Sequence, residues 1–483
     1  MKLSDLLIAL RYWVSSEVRI ILLGSILLLS FSSQIKAGVD SFNISPNGIG
    51  IKGYSTDSVV NKAGNDLTLR DAVNLVLLRN PELAAFAKEM RALEGATLQA
   101  GLLRNPELIM NAENVGNIQK PPIDINSSAP LAKEVAQQIT TIRLSQLIEL
   151  GGKRTARVNA ALLGEELAAK DYEARRVEMI AMVANVFIEV LSAQERFKLA
   201  EETNQVAQNV VNTVTGRVQA GKVPPIEETR VKVGLSIARI EWEQAQRDLV
   251  SARKRLALMW NSVTPQFDKV LGTLETSTVP PDFHVLQERV LENPMALRAM
   301  KNIEHRKALV EVQQTRRIPD LTLSAGVIHH AQVGGSTAVA GLMVPLPLFD
   351  RNQGNLKEAY ERVDKAVDEQ AAMELRLKTE LAQSYETMLA VWNEINILRD
   401  EVLPGAKSAF NVTRRGYELG KFGLLELLDA QRVLFQNQLL YVRALANYQR
   451  LVNDIERLIA MPIDSLMTAQ KLPHADIKSI RIR

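Results

Sequence analysis

The chain has 483 residues, no cysteine, and 58 Lys and Arg against 55 Asp and Glu. Near-neutral charge gives no footprint for nucleic acid or an acidic substrate, and the missing cysteine removes disulfides, thiol catalysis, thiolate metal sites and lipoprotein acylation. Aromatics are 5% of residues, while Ala, Leu, Glu, Gln, Arg and Val dominate the long segments, the usage of long helices and coiled coils.

Lys2, Arg11 and Arg19 precede an apolar run at 20–31, IILLGSILLLSF. That run is short against the roughly 20 residues of a spanning helix. With the small Ala37-Gly38 behind it, it reads as a cleaved export signal over residues 1–37. A polar, extended lead follows over 38–66, and no later segment reads as a transmembrane helix. Any membrane crossing is therefore expected to use strands.

A helix is expected from Thr68, with Ala72, Val73, Val76 and Leu77 on one face. It breaks at Asn80-Pro81, where Asn suits an N-cap and Pro the first position of a second helix that runs to about Leu103. After Pro106 the period changes to two: Leu108, Met110 and Ala112 alternate with Ile109, Asn111 and Glu113, a strand over about 107–115. A polar loop through Pro121-Pro122 leads to a second strand, about 139–148, with Ile142 and Leu144 opposed to Thr141, Arg143 and Ser145. From Lys153 to about Ala220 no proline or strong turn signal occurs, so a rod on the order of 100 Å long is expected. Gly221 and Pro224-Pro225 turn the chain into a return helix that ends near Asn261.

The second half replays the first. Asn293-Pro294 mirrors Asn80-Pro81, strands are expected at about 320–330 and 336–347, and a rod from about Asn352 to Leu419 is interrupted only at Pro404. Leu321, Leu323, Ala325 and Val327 alternate with Thr322, Ser324 and Gly326. Gly420 mirrors Gly221, and the offset between halves reads 213 before the strand loops and 199 after them. The chain thus divides into a first repeat at 67–265, a second at 266–462 and a tail at 463–483. In the last helix Leu424, Leu428, Gln431, Phe435, Gln438, Val442 and Leu445 recur at steps of four and three, a coiled-coil seam passed on to Tyr448, Val452, Ile455 and Ile459.

Four amphipathic strands cannot close a membrane barrel, which takes about eight or more. Several chains must pool them, and three chains give twelve. The fold class expected is mainly α with a small membrane β part: long coiled-coil hairpins plus four strands per chain, forming a trimeric 12-stranded β-barrel continuous with an α-helical barrel.

The stretches NPEL at 80–83, RLSQLIELGGKR at 143–154 and GYELGKFGLLELLDAQ at 416–431 resemble the TolC-like outer-membrane efflux channels of Gram-negative bacteria. The middle stretch looks most like their cobalt–zinc–cadmium resistance branch. The resemblance implies a homotrimer in outer-membrane lipid, reaching into the periplasm. It also implies a periplasmic adaptor and an inner-membrane pump of the resistance-nodulation-division (RND) type as partners. Gly221-Lys222 and Gly420-Lys421 would be tips that dock the adaptor. Glu227, Glu426 and Asp429 with Tyr417 would form the periplasmic gate, although Phe422 stands where a latch arginine can occur. Asn111, Glu113, Arg143, Ser145, Thr322 and Ser324 would face the pore.

His329 and His330 are adjacent and so face opposite ways on a strand, while His284, His305 and His474 are isolated. No metal site, cofactor or catalytic constellation is expected. The main reading is a passive duct for heavy-metal cations. Its alternatives are the same channel exporting drugs, solvents or a secreted polypeptide, and a periplasmic coiled-coil scaffold without a pore.

Overall fold

The computed structural model describes residues 66–115, 138–275, 279–331, 335–463 and 465. The export signal, the lead up to residue 65, the first strand loop and the tail lie outside the described residues. The first repeat contains β1 (Asp66–Thr68), α1 (Leu69–Arg79), α2 (Pro81–Gly101), β2 (Glu107–Glu113), β3 (Ile139–Ile148), α3 (Lys153–Gln219) and α4 (Pro225–Leu258). The second contains β4 (Lys269–Leu271), α5 (Phe283–Arg289) with a 3-10 turn, α6 (Pro294–Thr315), β5 (Leu321–His330) and β6 (Gly335–Met343). There follow α7 (Gln353–Ile397), a π-helical turn (Leu398–Val402), α8 (Leu403–Glu418) and α9 (Leu424–Ile459).

Local chemistry sets these limits. Asn80 Oδ1 caps α2 by accepting from the N–H groups of Glu82 and Leu83 at 2.9 and 3.2 Å, and its Nδ2 donates to Met259 O at 2.9 Å. Asn293 does the same for the second repeat, accepting from Met295 N at 2.8 Å and donating to Arg457 O and Leu458 O at 3.0 and 2.9 Å. Each Asn-Pro step thus starts one helix and fastens the far end of its own repeat's return helix. The strand β6 stops at Met343, short of the expected 347, because Pro345 and Pro347 supply no ladder donors. At the other end of the sheet, β2 stops at Glu113, before Asn114 with φ 58°.

The four long strands form one antiparallel sheet in the order β2-β3-β5-β6, leaving β2 and β6 as edges. Register places Leu108 opposite Leu144, Ile142 opposite Val327 and Leu323 opposite Leu342 on one face. Asn111 faces Thr141, Arg143 faces Gly326 and Ser145 faces Ser324 on the other. The long helices start at left-handed residues Gly152 and Asn352, 200 positions apart, so the offset at the sheet is one more than the 199 read between the tips. The parallel pair β1·β4 was not expected from sequence; the Gln194 side chain bonds both backbone groups of Val270 there, at 2.8 and 3.1 Å.

One helix does pass a membrane-span test by length and composition. The apolar window in α3, with mean hydropathy 1.5, is 56% buried inside the chain and is explained by core packing. The main core draws Met179, Phe187, Leu256, Leu381, Met388, Tyr448 and Ile455 from both repeats. A second core near the tips holds Val211, Val214, Val231, Phe410, Tyr417, Leu424, Leu427 and Leu434. Between them lies a waist: no residue is buried at 194–206, 239–248, 399–409 or 435–443. A groove of about 310 Å³ opens there, lined among others by Arg196, Asp248 and Phe435, and the buried Asn204 Oδ1, Trp242 Nε1 and Gln438 Oε1 are unpaired within the chain. The π turn also sits at this level, just before Pro404, whose ring and missing N–H an α-helical ladder would not accommodate.

The expected seam of α9 is half right. Leu424, Gln431, Leu445, Tyr448, Ile455 and Ile459 are buried, whereas Leu428, Phe435, Gln438, Val442 and Val452 are half-buried and Leu427, Leu434 and Leu458 are buried instead. The helix has neighbours on two sides, α3 and the α7–α8 rod, and buries a stripe against each.

Asn293→Ala is expected to cost about 2–4 kcal/mol, one cap plus two deprived carbonyls. Asn293→Asp should recover only the cap. Thermal unfolding of the purified protein distinguishes them; equal midpoints for the two variants would remove the fastening role.

Candidate functional site

The tips are built by helix ends. The α3 helix closes with Gly221 at φ 67°, its N–H donating to Val218 O and the Lys222 N–H to Arg217 O, both at 2.9 Å. The α8 helix closes the same way, with Gly420 at φ 72°, Gly420 N to Tyr417 O at 3.0 Å and Lys421 N to Gly416 O at 2.8 Å. Both are Schellman endings, in which a left-handed residue satisfies the last carbonyls, and a side chain there would strain the backbone. Gly221, Lys222, Gly420 and Lys421 are all exposed.

Of the four residues expected at the gate, the structure brings two together. The Tyr417 hydroxyl donates to Glu227 Oε2 at 3.2 Å, joining the second hairpin to the first. A third member was invisible in the sequence. Arg217, in the last turn of α3, donates to Tyr417 O at 2.5 Å and lays its guanidinium over the phenol ring, 4.6 Å from the centroid. Tyr417 is 3% exposed, so this contact sits on the tip core and not in solvent. Phe422 turns its ring over Gly416, where any Cβ would collide with it. The arginine of this site therefore comes from the first tip, not from the position of Phe422.

Glu426 and Asp429 are not part of that cluster. Both are exposed on α9, Glu426 with its carboxylate folded back toward Gly423 and Asp429 paired with Arg432 at 2.6 Å. An exposed i,i+3 pair of this kind contributes about 0–1 kcal/mol. The favourable field of the helix N-terminus acts on Glu426 in the first turn.

On the sheet, the apolar face is the bare one. Leu108, Met110, Leu144 and Leu342 are 65, 66, 53 and 66% exposed, while Thr141 and Ser145 on the polar face are 8% exposed. Arg143 is half-buried over Gly326, whose missing Cβ makes room for it, and Thr322 and Ser324 share that face. Asn111 and Glu113 lie exposed on the edge strand β2. His329 bonds Ser336 Oγ at 3.1 Å on the apolar face, and His330 stands on the other. Among the described residues no group of three or more His, Asp or Glu side chains could hold a metal ion.

A model of the family "Outer membrane efflux protein" matches residues 72–262 and 285–460, both repeats together. The chain belongs to that family. It is 35% identical to the cobalt-zinc-cadmium resistance protein CzcC of Cupriavidus metallidurans, over 82% of this chain and 91% of that one. With the nickel and cobalt resistance protein CnrC of the same organism it shares 27% over 69 and 76%. Its fold matches the crystal structure of the outer membrane protein VceC from Vibrio cholerae at a TM-score of 0.64, with 19% identity over 82 and 96% of the two chains. The outer membrane efflux proteins are channels of the outer membrane that extend into the periplasm, not enzymes, and this chain is one of them.

Burial raises the pKa of the Tyr417 phenol above its ordinary value, the charge and hydrogen bond of Glu227 add to that, and Arg217 opposes it. A raised native pKa means that the fold holds the proton more tightly than the unfolded chain does. The contribution is complete below the ordinary tyrosine value near 10 and is lost as pH rises through the raised one. Tip amides, followed by hydrogen exchange, should lose protection as pH rises above about 10. Tyr417→Phe should flatten that loss; an unchanged profile would mean that the phenol does not titrate with the tip.

Proposed function

We propose that three copies pool their strands into a 12-stranded barrel, continuous with a tube of their long helices, which passively conducts heavy-metal cations out of the cell. The observation that carries this reading is the sheet itself: two unpaired edges, a bare apolar face suited to lipid, and a polar face suited to water. In this reading Asn111, Glu113, Arg143, Ser145, Thr322 and Ser324 line the pore. An exposed stripe of Ile226, Val233, Ile237 and Ile240 on α4, spaced by seven, four and three, supports helix packing between copies.

Channels of this family are trimers that work with adaptors and RND pumps. Here the Gly221-Lys222 and Gly420-Lys421 tips meet the adaptor, and energy comes from the pump. Resemblance to proteins named for cobalt, zinc, cadmium and nickel resistance supports metal cations as cargo. A duct needs no tight metal site, because tight binding would slow release.

The gate has two layers in this reading. The Arg217–Tyr417–Glu227 cluster bolts the two tips of one copy together, and the exposed Glu426 and Asp429 of three copies, in the first turns of α9, converge at the same end. Carboxylates brought within a Debye length of about 8 Å repel unless cations neutralise them. The cation–π and charge-assisted contacts of Arg217 contribute about 2–3 kcal/mol to closure.

Deleting the gene should sensitise cells to cobalt, zinc or cadmium salts and leave sensitivity to detergents and dyes unchanged. The opposite pattern would replace the metal reading with drug export, and wild-type behaviour with both would remove it. In planar bilayers, Glu426→Ala with Asp429→Ala should weaken block by divalent cations and lower cation selectivity. Arg217→Ala should instead raise the closed-state leak without changing selectivity. If the double variant keeps wild-type block, those carboxylates are an ordinary solvated face.

A further inference from the structure

The polar face of the sheet carries one strong base. Among the described residues, Arg143 is the only Lys or Arg in β2, β3, β5 and β6. It stands in the middle of β3 between Thr141 and Ser145, which are both 8% exposed. Its seat is prepared by the next strand. A Cβ on Gly326, its partner on β5, would stand 2.8 Å from Arg143 Cα and 3.1 Å from Arg143 Cβ. Glycine inside a strand marks such a close approach.

Nothing within the chain neutralises this guanidinium. Arg143 Nε is sealed from solvent without a hydrogen-bond partner, and Arg143 joins no ion pair among the described residues. The carboxylates of the polar face are Glu107 and Glu113, both on the edge strand β2. Glu113 lies opposite Ile139, which puts it about 13 Å along the strand from Arg143. Glu107 lies opposite Ser145, a diagonal neighbour of Arg143, and makes no ion pair with it. The other edge strand, β6, presents Thr337, Val339, Gly341 and Met343 on this face. A second copy that paired its β6 with this β2 would therefore bring no acid. A fixed charge without a partner attracts mobile ions of opposite sign.

We propose that Arg143 sets the ion selectivity of the barrel: three copies form a ring of guanidinium groups that draws small inorganic anions, chloride or phosphate, into the duct. This inference rests on the pooled-strand reading and adds the charge that the barrel shows to water. The ring opposes Glu426 and Asp429 at the far end of the long helices. The duct is then bipolar, acidic at the tips and basic in the barrel, and a departing metal cation meets counter-ions before it leaves. In a 12-stranded barrel four strands separate one Arg143 from the next, about 19 Å across the strands. Screening decides when these charges act together, because the Debye length is about 30 Å at 0.01 M salt and about 3 Å at 1 M.

Reversal potentials in planar bilayers, under a potassium chloride gradient near about 0.01 M, read this directly. A unit charge acting through about 10 Å of water roughly doubles the local level of the opposite ion and halves that of its own sign, so Arg143→Gln should raise the cation-over-anion permeability ratio about fourfold. Arg143→Lys should keep the wild-type ratio, and the difference between variants should vanish near about 1 M salt. The native chain has no cysteine, so the charge can also be set after assembly. Arg143→Cys channels treated in the bilayer with a cationic methanethiosulfonate should return to wild-type selectivity, and an anionic one should move them further toward cations. A merely structural role would not give opposite shifts with the two reagents. An unchanged ratio in Arg143→Gln, or conducting Arg143→Cys channels that neither reagent alters, overturns the role of Arg143 and leaves the barrel intact. Wild-type protein that forms no channel and stays a monomer overturns the pooled-strand reading itself.

Discussion

A strand edge inside hydrocarbon has no water to satisfy its backbone N–H and C=O groups, and each group left bare costs several kcal/mol. The edges β2 and β6 carry that cost if the chain stays alone, since β3 and β5 pair only with each other and with these two. The sequence repeat is the response to this constraint. Two similar halves place two hairpins side by side, joined by the antiparallel pairing of β3 with β5. The pooled-strand proposal gives the sheet's bare leucines and the helices' exposed seams one common explanation, incompleteness of the single copy.

Length adds a second demand. A helix of 67 residues such as α3 has no single partner along its whole course. It meets α2 and α6 near the sheet and α4 and α9 farther down, and its buried face changes with them. This is why ten of its fifteen residues at 179–193 are buried while none at 194–206 is. A helix shared between neighbours also needs more than one apolar stripe, which dilutes the periodic signal that a sequence can show.

What was legible followed local rules. Asn-Pro steps, alternation in the strands, Gly at the tips and the long proline-free run each have a cause within a few residues, and the elements stand where those causes put them. What was illegible depended on distant pairs. Three-residue strands such as β1 and β4 carry no period, and they exist because Gln194 and a parallel neighbour hold them. Arg217 looked like any arginine ending a helix, and its partner lies 200 positions away. The family resemblance named Tyr417 and Glu227 together, but no spacing in the sequence showed that Glu426 and Asp429 would stand apart from them. The one-residue change in offset between sheet and tips was hidden because a slip inside a long helix leaves no mark on composition.

The waist between the two cores has a mechanical consequence. Above it the helices are locked by large buried side chains, and below it the tip core is a separate, smaller unit. Bending concentrates where packing is thinnest and where the π turn has already loosened the helical ladder. Gly221 lies 17 residues beyond Asn204, a lever arm of about 25 Å, so a tilt of about 10° at the waist carries the tip about 4 Å. A displacement of that size exceeds the width of a water molecule, about 2.8 Å, and it asks nothing of the sheet or of the upper core, which can remain rigid throughout.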